Sequence, residues 1–531
     1  MKMTLKLNAP GMTGLHKAGL AGLYMTLQAF DETNQKISGL TWELEPTQVR
    51  LVWHDEKPKA AFEELTKLAF KLDDNGLIQF AGLEIAKPLT ILQKYHVYNA
   101  LLLSFLQYGK HRKKGKEVLL GDSSDDRFKV IDREFEPITL YRHQEVISRK
   151  IFIDGDGLFH EAIEVPSWMF PGGIKRHDVH NETKLKEPIN LAIVLLFAPI
   201  GVVYYAIRSR AKGRKALLAL LVPNIENLEE YSEFRQIIAS AEVLEMHASS
   251  ASDAALRFLT SMAGRRIRNQ FEQMNNMVIA CRVITFGIVG WSEQQKTRTY
   301  ARSIITSQIP GLTNYQRASA IFKNHWQTVP AKRDRKGNET EPERHFVSTP
   351  SALEFIADNI ANRDVWYHGL ATYLSHEETR EQLQYERKEL HEMVETATYD
   401  DESERLFIRV CHESWRRRLG KLGERARQER IGDGGFQRLA SKEAEKLRSS
   451  FTSCKNLETL RETVVDFWAR GGANELLRGE QLTQVLTLFN ERNWKKARDL
   501  ALLALISYPQ APQDGAASSA APGTTEGGNN E

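Results

Sequence analysis

From Ile189 to Ile207 the chain reads INLAIVLLFAPIGVVYYAI, without one charged side chain, and RSRAKGRK follows at once. A run this apolar must leave water, so it limits the possible folds more than any other stretch. It nearly reaches the roughly 20 residues a membrane helix needs, and the basic flank suits a cytoplasmic end. Against a span, Pro199 and Gly201 interrupt its centre, β-branched residues are frequent, and the sequence holds no second such segment. Two buried strands meeting at an Ala-Pro-Ile-Gly turn account for the same letters, and that is the expectation adopted.

With 531 residues the chain is long enough for two or three domains, each with its own core. The expected fold class is α+β: a mixed α/β N-terminal body with antiparallel hairpins, followed by an α-helical bundle C-terminal domain. MKMTLKLNAP alternates polar and apolar residues and reads as a strand start, not a signal peptide. LTWELE and VRLVWHD predict paired strands, AAFEELTKLAFKL has helical spacing, and ILQKYHVYNALLLSFLQYG predicts a buried helix to Gly109. VISRKIFIDGDGLFHEAIEV carries a hairpin signal around its Asp-Gly turn. Residues 231–246 and 254–271 look helical, and CRVITFGIVGW looks like a strand.

The body is expected over 1–327. Between Thr328 and Pro350 charge, Pro and Gly dominate, which reads as a mobile linker over 328–350. Thr349-Pro350 then suits a helix start. Over 351–508 strand signals nearly vanish, and Phe407, Cys411, Trp415 and Leu419 recur at spacing four, the stripe of a helical bundle. The Ala-, Ser- and Gly-rich residues 509–531 predict a disordered tail. Cys281, Cys411 and Cys454 lie far apart with no ligand-like spacing, which favours a reducing, cytoplasmic setting and argues against a structural zinc site.

NAPGMTGLHKAGLAGLYMTL, residues 8–27, invites a phosphate-loop reading that fails on inspection. Gly14 and Gly19 have the P-loop spacing, but Leu20 and Ala21 stand where lysine and a hydroxyl are required. The dinucleotide fingerprint fails as well. With Thr13 as a cap, Gly14, Ala18 and Gly22 instead form one smooth helical stripe for close backbone approach, by a packed element or a nucleic-acid strand. His16 and Lys17 fall in the first turn, where free N–H groups favour anions. His54-Asp55 and His177-Asp178 lack the convergent partners a metal nuclease needs. Asp154-Gly-Asp156-Gly lacks the later ligands of a calcium loop. No catalytic residue, metal site or cofactor is expected.

The charges nearly cancel, to a net +3, so any nucleic-acid contact must come from local clusters. Four stand out. Lys110, Arg112, Lys113 and Lys114 follow a helix. Arg208 and Arg210 follow the apolar run. Arg265, Arg266 and Arg268 lie on or near a helix. Arg416, Arg417, Arg418, Lys421, Arg425, Arg427 and Arg430 crowd WRRRLGKLGERARQER. Such segregation suits phosphate contacts along an extended path, which position without reading sequence. WMFPGGIKRH, with Lys175 and Arg176 after a Pro-Gly-Gly turn, is the best candidate for a base-reading loop.

The opening LNAPGMTGLHKAGLAGLYMTL resembles the N-terminal signature of the Myxococcus-type ("Myxan", subtype I-B-like) large subunits of the type I CRISPR Cascade complex, and LAIVLLFAPIG is similar to the same group. Together these cover parts of the first 210 residues. The resemblance implies a non-catalytic, cytoplasmic subunit of an antiviral ribonucleoprotein. Its partners would be crRNA, double-stranded target DNA, the Cascade backbone and small subunits, and a helicase-nuclease, with no membrane contact. It would recognise the protospacer-adjacent motif and assist strand opening to form the R-loop, while the helical domain contacts the displaced strand. In related systems a small subunit starts within the large-subunit gene, and Met393 stands where such a small-subunit-like product would begin. One alternative is the same role in a transposon-encoded complex, with a transposition adaptor as partner. Another is a stand-alone metal-dependent nuclease using His177, Asp178 and His180.

Overall fold

A computed structural model describes residues 1–74, 77–85, 87–105, 150–165, 169–171, 185–207, 217–261, 280–289, 296–305, 309–333, 339–341, 344–430, 432–472 and 474–509. The chain divides into two compact units, Met1–His368 and Gly369–Glu531.

The first unit opens with β1 (Lys2–Lys6), α1 (Gly14–Glu32), β2 (Leu40–Glu45) and β3 (Gln48–Trp53). The three strands form an antiparallel sheet in the order β1-β3-β2, and β2 and β3 make the expected hairpin. α2 (Lys59–Ala69) leads into the short ladder β4 (Phe70–Leu72) and β5 (Ile78–Phe80), then α3 (Ile91–Leu103), which Thr90 caps with Gln93 in a capping box. Around Asp154-Gly-Asp156-Gly the chain reverses as expected, with Gly155 and Gly157 at positive φ and Phe152 bridging Phe159. The following strand β6 (Ala162–Val165) does not extend that hairpin. It pairs with β7 (Leu185–Pro188).

The apolar run corrects the sequence reading. Ile189–Leu196 is a helix, α4, followed by the short α5 (Ala198–Gly201), and only Val203–Ile207 is a strand, β8. Burial on all sides removes the alternation that separates strand from helix, so an uninterrupted apolar segment permits either. Among the described residues no helix is long and apolar enough to cross a membrane. The bend at Pro199–Gly201 is fixed by polar side chains that satisfy its carbonyls. Tyr204 Oη donates to Pro199 O at 2.8 Å, Arg235 Nε to Val202 O at 2.8 Å, and Tyr231 Oη to Gly201 O. β8 continues into a five-stranded sheet with β9 (Leu217–Pro223), β10 (His247–Ala248), β11 (Ala280–Val289) and β12 (Lys296–Ile305), in the order β10-β8-β9-β11-β12. β10 lies parallel to β8; the other pairs are antiparallel. α6 (Leu228–Ala239) and α7 (Ala251–Thr260) separate these strands, and α8 (Leu312–Ile321) follows them.

The segment expected as a linker is a ribbon. β13 (His325–Val329) pairs with β16 (Arg344–Ser348), and β14 (Lys332–Arg333) with β15 (Glu339–Glu341). β13 and β14 are largely exposed and polar, so their sequence shows little apolar alternation and resembles a loop. α9 (Ser351–Ala361) follows one residue later than expected, and the division between units falls after His368.

The second unit is helical throughout its described residues: α10 (Leu370–Tyr373), α11 (Glu377–Tyr385), α12 (Arg387–Thr396), α13 (Glu402–Gln428), α14 (Asp433–Ser453), α15 (Leu457–Gly471), α16 (Glu480–Leu486) and α17 (Trp494–Ser507), with a 3-10 turn at Glu475–Leu477. α17 packs against α10, α12, α13, α14 and α15. Its buried Asp499 accepts from the Gly369 and Ala371 N–H groups at 2.8 and 3.1 Å, capping α10. Phe407, Trp468 and Phe489 meet edge to face in the core. All three cysteines are buried and free.

Candidate nucleic-acid interface

α1 shows how the first expected contact is spent. Thr13 caps the helix as the sequence implies: His16 N–H donates to Thr13 Oγ1 at 3.4 Å, and His16 Nδ1 lies 3.3 Å from the Thr13 N–H and 2.8 Å from Oγ1. The expectation that His16 faces an anion is corrected here. Its side chain is enclosed, and burial pushes its pKa down to about 4, so it is neutral near pH 7. Lys17 is committed elsewhere too, with Nζ 2.5 Å from Glu226 Oε1 and 3.3 Å from Asn224 Oδ1.

The glycine stripe is an intramolecular packing face. A Cβ on Gly19 would overlap the Val194 carbonyl, one on Gly22 the Phe197 carbonyl, and one on Gly201 the Ala18 carbonyl. α1 thus meets α4 and α5 backbone to backbone. Ala18 and Gly22 were legible in this role. Gly19 joins them, while Gly14 faces only the Val222 side chain.

α13 behaves in the opposite way. Asp401 caps it, accepting from the Ser403 N–H at 2.9 Å, and Glu402 and Glu404 begin it while Arg425 and Arg427 end it, as the helix dipole favours. Leu406, Phe407, Val410, Cys411, Ser414 and Leu422 face the bundle. On the far side Arg409, Arg416 and Arg427 are exposed at offsets of seven and eleven residues, two and three turns, so they share one edge. A rise of 1.5 Å per residue gives that edge a length of about 27 Å.

The remaining basic residues of the cluster separate by partner. Glu413 accepts both Arg416 nitrogens at 2.8 Å and Arg417 Nε at 2.5 Å. The Arg416 hydrogen bonds hold the Glu413 carboxyl down at about 2; burial pushes the other way and Arg417 adds to the lowering. Arg425 pairs with Glu429 at 2.7 Å. Arg418 turns inward to Glu443 of α14 at 3.0 Å and is 23% exposed, against 64% for Arg416. Lys421 Nζ donates to the Arg470 carbonyl at 2.9 Å, where α15 ends. Among the described residues, Arg409 and Arg427 find no side-chain ion pair and project freely. Arg409 escaped the sequence reading because apolar neighbours isolate it; its offset of seven from Arg416 was the available signal. Exposed Arg438, Lys442 and Lys446, at spacing four on α14, form a second line that was also missed.

Lys110, Arg112, Lys113, Lys114, Lys175, Arg176, Arg208, Arg210, Arg265, Arg266 and Arg268 lie outside the described residues, as do His177, Asp178 and His180. Of residues 168–177, expected as a base-reading loop, only 169–171 are described: Met169 and Pro171 are buried, and the Phe170 ring lies 5.7 Å from that of His16.

Residues 4–196 match the family model of the DevT N-terminal domain and residues 395–530 that of the DevT C-terminal domain. The chain is also 26% identical to the CRISPR-associated protein Cas8a1/Csx13 of Myxococcus xanthus (strain DK1622), over 95% of this chain and 88% of that protein. These matches place it among the CRISPR-associated proteins. It belongs to the Myxococcus-type large-subunit family of type I CRISPR effectors.

Proposed function

We propose that this subunit recognises the protospacer-adjacent motif in duplex DNA and assists strand opening within a crRNA-guided complex, with no catalytic step of its own. Base pairing with the guide reads the rest of the target, as in other RNA-guided systems. The exposed Arg409–Arg416–Arg427 edge carries the reading for the helical unit. It is long enough to follow several phosphates, and its charges lie opposite the packed face of α13. Arg417, Lys421 and Arg425 flank it and exchange their protein partners for phosphates when the displaced strand arrives. Lys175 and Arg176, in the sequence PGGIKR that follows Phe170, are the proposed readers of the motif.

Co-purification of the tagged protein from its host, with sequencing of bound RNA, tests the assembly. Repeat-derived crRNA and Cascade backbone subunits are expected, together with duplex binding that fails when the adjacent motif is changed. Repeated recovery without crRNA contradicts the reading. Whether the assembly recruits a helicase-nuclease or a transposition adaptor is read from the proteins that co-purify with target-bound complex.

The DevT C-terminal match begins at residue 395, next to Met393, which favours a separate small-subunit product starting there. Met393→Leu is expected to remove a short C-terminal product, and its persistence undiminished rules the start out.

A further inference from the structure

Three potential metal ligands converge in the helical unit, one of them on α13 between Arg409 and Arg416. His391 and Glu395 stand one turn apart on α12, and His412 projects from α13. One ligand atom from each lies within 4.8 Å of the others, and the two imidazole centroids are 5.9 Å apart. His391 Nδ1 is buried without a hydrogen-bond partner, a loss that a buried ring nitrogen does not ordinarily tolerate. His412 is already held on one side, its Nε2 lying 3.3 Å from Ser507 Oγ. That is the outer-shell support metal-bound histidines require, since it fixes the ring and its tautomer.

We propose that His391, Glu395 and His412 bind one divalent transition-metal ion of the zinc class. Two imidazoles and a carboxylate suit such an ion, and three protein ligands leave the fourth tetrahedral position to water. Bonds of about 2.0–2.2 Å require ligand atoms about 3.4 Å apart. Glu395 is exposed, so its side chain is free to turn toward the ion. The bound ion ties α12 to α13 between Arg409 and Arg416, and so fixes the stretch of helix that carries them. This goes beyond nucleic-acid binding and does not depend on it.

The test is zinc binding by the metal-stripped full chain, measured by competition with a chromogenic chelator, with cobalt absorption as a geometric signature. One equivalent of zinc is expected, with tetrahedral cobalt bands and a raised melting temperature for the helical unit. Glu395→Gln changes an exposed side chain that bears no core contact, and is expected to weaken zinc binding at least about tenfold while circular dichroism stays unchanged. His391→Gln and His412→Gln should abolish the cobalt bands. A wild-type chain that retains no zinc overturns the proposal, as does a full equivalent retained with unchanged affinity in folded Glu395→Gln.

Discussion

α1 and α13 are the two helices whose sequences most invite a functional reading, one through glycines and the other through arginines. Their environments are opposite. α1 is enclosed along most of its length, its glycines face the carbonyls of α4 and α5, and its two cationic candidates are absorbed by a cap and an ion pair. α13 buries one face and leaves a line of arginines in water. A glycine stripe allows any backbone to come close, and here the chain's own backbone occupies the space. A basic stripe has no such internal partner available along its whole length. Glu413, Glu429 and Glu443 answer four of the arginines, and among the described residues Arg409 and Arg427 remain unanswered.

The contrast between the helices breaks most readily at the glycines. Gly22→Leu drives a side chain into the Phe197 carbonyl and should destabilise the first unit by more than about 3 kcal/mol, seen as loss of soluble protein or of its unfolding transition. A well-folded variant would show that α1 is not packed backbone to backbone.

Acid separates the two regions next. Burial lowers His16 and His96 to about 4, from an ordinary 6.5. Both are therefore neutral in the fold, and the unfolded chain takes up protons first. Their contribution is complete above pH 6.5 and is lost as pH falls from there toward 4. For the enclosed His16 the loss is on the order of 2–3 kcal/mol. Glu413, also lowered, weakens α13 only below about pH 4.5, so the arginine pairs outlast the histidines. Thermal melts across pH 7 to 4 should show the first unit weakening first; a flat profile contradicts the burial of His16.

Gly420 provides the matched control for Gly22. It lies on the exposed side of α13, where an added Cβ meets nothing within 4 Å. Gly420→Ala should raise the stability of the helical unit by about 0.5–1 kcal/mol, measurable by denaturant titration. The smallest expected effect is that of Glu413→Gln. It frees Arg416 and Arg417 from their carboxylate and should tighten single-strand binding by a few fold in low salt; weaker binding would mean the pairs are needed to pose the arginines.

Much of this was legible wherever a local rule acts alone. Thr13 capping α1, the stripe through Phe407, Cys411 and Trp415, and the helical second half follow from spacing and turn chemistry. The failures share a different cause. Ile189–Leu196 is apolar on every side, so periodicity carries no information there. β13 and β14 are largely exposed and polar, so their sequence resembles a linker. His16 and Lys17 have the composition of an anion site, and only Phe170, Glu187 and Glu226, far along the chain, reveal that they are occupied. His391, Glu395 and His412 come from two helices, and no continuous motif announces them.

The most direct test of the arginine edge is the salt dependence of displaced-strand binding by the crRNA-loaded complex, compared between wild type and Arg409→Ala/Arg416→Ala/Arg427→Ala. Every phosphate that an arginine no longer neutralises takes about 0.7 off the slope of log K against log salt. The triple variant should therefore bind with a slope shallower by about 2 at unchanged melting temperature. An unchanged slope in a folded variant would show that the arginine edge of α13 does not carry the strand.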